Sequence, residues 1–314
     1  MAILYDLNNR LTGLFPMTTV PELPFLQILP YLFLYAAIAA AWLPPIVLAG
    51  PVKNLVPGHL LAALAGILAL ISALISPVAA LVLLVLALLL WASVQNTFPL
   101  ALRIVAGVLA LLVALLLAMH KVPGFHNILL LDKVRFSDDA IPFTLYANFD
   151  KGMTGYLLLS LFCSRASSWK QFLADGKRIA LPALLTIAVL IVLGLATHFF
   201  RFLPKLPEAT LLFFAVNLFL TCVAEEAFFR GLMQEAIYRL GNKPAYGYLA
   251  IALSAILFGL AHLGGGTQYA ALATVAGLGY ALIYHQTRRL EWVILTHAAF
   301  NLCHFVLFTY PKLA

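Results

Sequence analysis

Long apolar runs follow one another through most of the chain, parted only by short connections. They fall at about 25–49, 60–75, 78–93, 100–119, 152–163, 179–197, 210–238, 246–263, 269–284 and 292–308. A helix needs about 20 apolar residues to cross the hydrocarbon core of a bilayer. The 314 residues therefore predict an all-α polytopic membrane protein, with about eight to ten transmembrane helices in one bundle. Composition agrees: 64% of residues are hydrophobic and 10% charged, against about 45–50% and a quarter in soluble chains. The mean hydropathy is +1.01. Disorder, a fibrous repeat and a soluble nucleic-acid binder are excluded.

The formal net charge is +7. Most Lys and Arg residues stand in the connections, where they report topology, because basic loops stay cytoplasmic. Arg165, Lys170, Lys177 and Arg178 make 164–178 the most basic connection, which places it in the cytoplasm. Alternation then puts the Arg239/Lys243 and Arg288/Arg289 connections inside too. Arg201, Lys205 and the C-terminus fall outside, where the two cations dilute the rule. No basic stripe interleaved with aromatics suggests nucleic acid. Cys163, Cys222 and Cys303 lie in apolar runs as small hydrophobes, not as a disulfide framework. No cleavable signal peptide is expected at the N-terminus.

Three regions are expected. Residues 1–119 are N-terminal hydrophobic helices, 120–151 a polar loop, and 152–314 a C-terminal helical catalytic domain with its motifs in 205–310. The loop holds eight charged residues from Lys121 to Lys151 and reads as aqueous, with room for an interfacial helix. The run at 152–163 is short for a span, so it is expected to be tilted, re-entrant or extended by its flanks.

An ionisable residue inside a membrane run is expensive and is a functional candidate by default. Of twelve acidic residues, two sit deep within an apolar run, Glu225 and Glu226. On a helix Glu226 and Arg230 are i,i+4 and share a face. Glu225 points about 100° away and is left without a partner in this motif. His262, followed by Gly264, Gly265 and Gly266, and the i,i+4 pair His297 and Asn301 add polar clusters on two further helices. Among the other histidines, His304 lies nearest in phase to His297. The set suggests hydrolysis: a carboxylate takes a proton from water, a histidine holds that water or relays the proton, and His with Asn donates to an oxyanion. No Ser or Cys nucleophile with its own base is evident, which favours direct attack by water. Simple span counting puts His262 and His297 toward opposite ends of their helices, so convergence needs a tilted or broken helix, expected at Gly264–Gly266.

These residues carry a resemblance. Glu-Glu-x-x-x-Arg at 225–230, Phe-x-x-x-His at 258–262 and His-x-x-x-Asn at 297–301 resemble the three ordered motifs of the CPBP family, which includes type II CAAX prenyl endopeptidases and bacterial Abi-type proteins. The resemblance implies a glutamate-dependent intramembrane endopeptidase acting on a membrane-associated protein or peptide. Glu225 would activate water with His262, His297 and Asn301 would form the oxyanion hole, and Glu226 and Arg230 would support them. No metal and no cofactor are expected, and the protein would be integral to the membrane, the inner membrane if bacterial. Three alternatives stay open: a zinc protease using Glu225, His262 and His297 as ligands, a transporter, and a catalytically silent scaffold or immunity protein.

Overall fold

The computed structural model describes residues 25–47, 54–241 and 243–314. The N-terminal residues in which no signal peptide is expected lie outside these, as does the end of the first apolar run. Among the described residues the chain forms helices α1 (Phe25–Ala40), α2 (Pro57–Ile71), α3 (Pro77–Val94), α4 (Leu100–Ala118), α5 (Phe149–Phe162) and α6 (Trp169–Ala196). Four more follow: α7 (Thr210–Tyr238), α8 (Pro244–Ala261), α9 (Thr267–Thr287) and α10 (Glu291–Leu307). The protein is thus an all-α polytopic membrane protein. Five helices, α3, α4, α6, α7 and α8, are long and apolar enough to cross a bilayer. The sequence punctuates them plainly. Proline opens α2, α3 and α8, where its missing N–H would have no helical acceptor anyway. Ser76 and Ser168 cap α3 and α6 by accepting the N–H of Ala79 and Gln171. That cap starts α6 at Trp169, so Lys170, Lys177 and Arg178, expected in the connection, ride on the helix.

The bundle is apolar outside as well as inside. Leucines such as Leu81, Leu84 and Leu88 on α3 are exposed, as lipid-facing residues should be. The 14-residue α5 is extended by Phe149–Lys151 from its flank, one of the alternatives expected, and is still short for a span. Nine of its residues are buried, so it lies within the bundle and packs along α7. A Cβ on Gly155 would stand 2.7 Å from Ala224 Cα, and one on Gly152 2.5 Å from a Leu220 methyl. Gly155 lets the helix backbones touch and Gly152 makes room for leucine side chains, the usual device where lipid offers no hydrophobic drive.

Residues 120–151 depart from expectation. They hold no helix before α5. Ile128–Val134 (β1) and Phe143–Ala147 (β2) instead form an antiparallel hairpin. Apolar and aromatic residues in short runs, bounded by Ser137-Asp138-Asp139 and Pro142, favour strands over a helix. Asp150 and Lys151, expected in an aqueous loop, belong to the first turn of α5. There Asn127 Oδ1 accepts the Phe149 N–H, and the Asp150 carboxylate complements the positive end of the helix dipole.

The ends of the helices sort into two faces. At one, Asp175 pairs with Arg289, Glu235 with Arg288 and Tyr238 with His285, while Trp292 Nε1 donates to the Phe172 carbonyl. The three basic connections after α5, α7 and α9 therefore meet, as alternation requires. At the other, Ala140 bridges Leu313, Phe202 bridges Phe308 and Lys312 Nζ reaches the Gly265 carbonyl. The two cations that dilute the charge rule are both engaged there. Arg201 pairs with Asp139, whose carboxyl it holds below the usual range, and Lys205 donates to the Phe308 carbonyl. In a cysteine-free background, single cysteines at 170, 239 and 288 should react with an impermeant thiol reagent from the cytoplasmic side. Cysteines at 138 and 201 should react only from the opposite side, and mixed labelling within either group would contradict this arrangement.

Candidate active site

Helix α7 carries the two glutamates and is not a uniform α-helix. Its Asn217–Cys222 and Ala227–Gln234 segments are π-helical, and the α turn Val223–Glu226 lies between them. Such i→i+5 turns recur at functional sites because they re-phase the side chains that follow. Glu225 and Glu226 both sit on the α turn, and the 100° step between them puts them in different surroundings.

Glu226 faces inward and, like Arg230, is 0% exposed. Its Oε2 lies 3.0 Å from Arg230 Nη1, as the i,i+4 spacing predicts, and its Oε1 2.8 Å from His297 Nδ1. Arg230 Nη2 donates to the Gly277 carbonyl at 2.9 Å. The guanidinium also sits over the Phe258 ring at 4.6 Å and the Tyr280 ring at 5.5 Å, so aromatic faces meet charge that hydrogen bonds leave unmet. One buried ion pair thereby ties together α7, α8, α9 and α10.

Glu225 lines a cavity of about 590 Å³ together with His262, His297 and Asn301. The separation expected between the two histidines does not arise. Helix α8 ends at Ala261, and a short 3₁₀ turn, Leu263–Gly265, leads to Gly266 at φ +103°. The break falls where the glycines predict it. The His262 ring turns back into the bundle, because its Nδ1 lies 2.7 Å from the Phe258 carbonyl. A carbonyl can only accept, so Nδ1 carries the hydrogen and Nε2 of the neutral ring presents a lone pair. That Nε2 lies 4.0 Å from Glu225 Oε2. Gly259 makes the approach of α8 to α9 feasible, since a Cβ there would fall 1.8 Å from Thr274 Oγ1.

His297 and Asn301 share a face of α10. His297 stacks on Tyr280, ring centres 4.7 Å apart. Asn301 Nδ2 donates to Asn217 Oδ1 at 3.1 Å. His304 lines the same cavity but is engaged elsewhere. Its Nε2 approaches the Thr309 carbonyl at 3.2 Å and its ring packs on Phe200 and Tyr310, so it anchors the segment after α10. Among the described residues no group of three His, Cys, Asp or Glu is arranged to hold a metal ion.

Three residues at the site have no counterpart in the sequence reading. Lys151 donates from Nζ to Glu225 Oε1 at 2.7 Å, so Glu225 is not unpaired. Asn217 holds Asn301, and Tyr280 is the platform under His297. Asn217 had a usable signal: an amide in an apolar run, eight residues before Glu225 and near it in helical phase.

All the motif residues fall in one stretch. Residues 207–303 match the family described as type II CAAX prenyl endopeptidase Rce1-like. The match spans α7, α8, α9 and most of α10, and leaves everything from α1 to α6 outside it. No curated protein and no solved structure matches the chain.

Within the matched segment the buried pair should behave as a folding element. Removing one partner of such a pair leaves an uncompensated charge and typically costs about 3–5 kcal/mol. Glu226→Gln should therefore lower the thermal midpoint in detergent sharply. An unchanged midpoint would show that the Arg230 charge is met without Glu226.

Proposed function

We propose that the protein is an intramembrane endopeptidase that hydrolyses a peptide bond of a membrane-associated protein or peptide with water activated by Glu225. The observation that carries this reading is the 4.0 Å gap between Glu225 Oε2 and His262 Nε2. Both atoms are acceptors, given a hydrogen on His262 Nδ1. A water spanning them at ordinary hydrogen-bond lengths of about 2.8 Å donates one hydrogen to each and turns its lone pairs to the cavity.

The chemistry follows from that placement. Glu225 takes a proton as the water oxygen bonds to the peptide carbonyl carbon. The carbonyl π electrons move to its oxygen, and Asn301 and His297 are the donors on the same cavity wall. Asn301 gives one Nδ2 hydrogen to Asn217, and its long 3.8 Å contact with Cys222 Sγ yields the other to the oxyanion. His297 meets Glu226 at Nδ1, so donation from Nε2 requires hydrogen on both ring nitrogens. Collapse of the tetrahedral intermediate breaks the C–N bond, and the proton held by Glu225 passes to the leaving amine. Glu226 and Arg230 do not line the cavity; they orient His297 from behind.

The decisive experiment compares the termini of membrane proteins in cells carrying the wild type and Glu225→Gln, followed by cleavage of the peptide so found with purified protein. Glu225→Gln should fold, insert and fail to cleave, since the amide keeps the shape but is no base. Wild-type turnover by this variant would remove Glu225 from the mechanism. Asn301→Ala should slow the chemical step about 10²–10³-fold, the usual loss for one oxyanion donor. Cys222, buried beside His297, should be dispensable: Cys222→Ala should cleave normally, whereas an inactive but folded Cys222→Ala would point to a thiol nucleophile. Exhaustive chelation should leave turnover intact, and loss that zinc restores would assign the same residues to a metalloprotease.

A further inference from the structure

The N-terminal half lines the cavity along Phe143–Tyr146 and makes an ion pair with Glu225 that has a built support. Lys151 lies on α5, outside the family-matched 207–303, yet its Nζ is 2.7 Å from Glu225 Oε1 with both side chains largely buried. The first turn of α5 is fixed from three directions. Buried Asp150 accepts from its neighbour's backbone N–H at 2.8 Å and from Asn127 Nδ2 at 3.0 Å, and His120 Nδ1 lies 2.7 Å from its other oxygen. Asn127 also holds the Phe149 N–H. Gly155, one turn on, brings α5 into backbone contact with Ala224, the residue before Glu225. A flexible lysine is thus delivered to one carboxylate oxygen from a rigid base.

We propose that Lys151 is a positioning residue for the reaction: it binds Glu225 Oε1, holds the carboxylate ionised and aims Oε2 at His262, so that the catalytic centre is completed by α5. The inference rests on the Glu225 mechanism proposed above. Its physical content is charge and geometry together. A carboxylate buried without a countercharge takes up a proton instead, and a neutral acid cannot accept one from water. The Arg230 guanidinium cannot serve, because Glu226 and the Gly277 carbonyl engage it. The ammonium also removes the rotational freedom of the carboxylate, and misplacement of a reacting group by about 1 Å can cost about 10²-fold in rate.

The test uses full-length protein in liposomes with a substrate peptide, and three variants. Lys151→Met should reduce kcat at least about tenfold with KM within about twofold, because the lost interaction acts on the chemical step alone. Lys151→Arg, which keeps the charge and a donor, should restore kcat to within about fivefold of wild type. The thermal midpoints of Lys151→Met, Glu225→Gln and the double variant should be non-additive, the double losing less than the sum of the singles, as for residues in direct contact. Wild-type kcat in a folded Lys151→Met protein would overturn the proposal. So would a raised KM at unchanged kcat, which makes Lys151 a substrate contact, or additive midpoints with an arginine variant as inactive as methionine, which makes α5 a structural prop. None of these outcomes touches the Glu225 assignment, which fails only if Glu225→Gln still cleaves.

Discussion

The buried Arg230 guanidinium is the constraint around which the last four helices are arranged. It is the largest fully buried side chain among the described residues, and in an apolar bundle its charge must be met or the helices cannot close. Four helices contribute: Glu226 from its own turn, the Phe258 ring from α8, the Gly277 carbonyl and Tyr280 ring from α9, and His297 through Glu226 from α10. Each of these groups has a neighbour that faces the cavity. The Phe258 carbonyl holds His262, Tyr280 stacks on His297, and Glu225 is next to Glu226. The geometry of the cavity wall is therefore fixed by an ion pair that never touches the cavity.

Much of this was legible because contrast is the signal. A carboxylate or a histidine in a run of leucines and alanines has few bland explanations, and Glu225, Glu226, Arg230, His262, His297 and Asn301 stood out on that ground. Periodicity then told Glu226 from Glu225, and the pairing with Arg230 follows it. The same logic fails where contrast is absent. Lys151 stands among the charges of 120–151, where one more cation is unremarked, and nothing local says that its helix begins two residues earlier. The hairpin Ile128–Val134 and Phe143–Ala147 carried strand signals, but the charged residues between and around them dominated the reading. Tyr280 is apolar enough to pass as ordinary span.

Helix α5 shows why hydropathy and length misjudge an interior helix. Those measures ask whether a segment suits lipid, and α5 does not meet lipid. Its neighbours are other helices, so it can be 14 residues long, carry Asp150 and Lys151, and place small residues where backbones touch. The long leucine-rich α3 and α4, which satisfy every criterion for a span, bring no side chain to the cavity. Suitability for the membrane thus does not predict proximity to the chemistry: α7 and α8 have both, α3 and α4 only the first, and α5 only the second.

The two π-helical segments of α7 have a consequence for how the chain tolerates insertions and deletions. Each holds its widened turn by accommodating one residue more than an α-helix would over the same length. A residue removed from 217–222 would let the segment relax to regular α-helix. The flanking turns would keep their phase, because the widened turn closes over the gap, whereas a residue removed from the α-helical Val223–Ala224 would swing Asn217 by about 100° relative to Glu225. The alignment of the polar face is thus encoded in residue count as well as residue identity. A frame of one residue, invisible to any substitution table, is absorbed by the widened turns and not by the α turn between them.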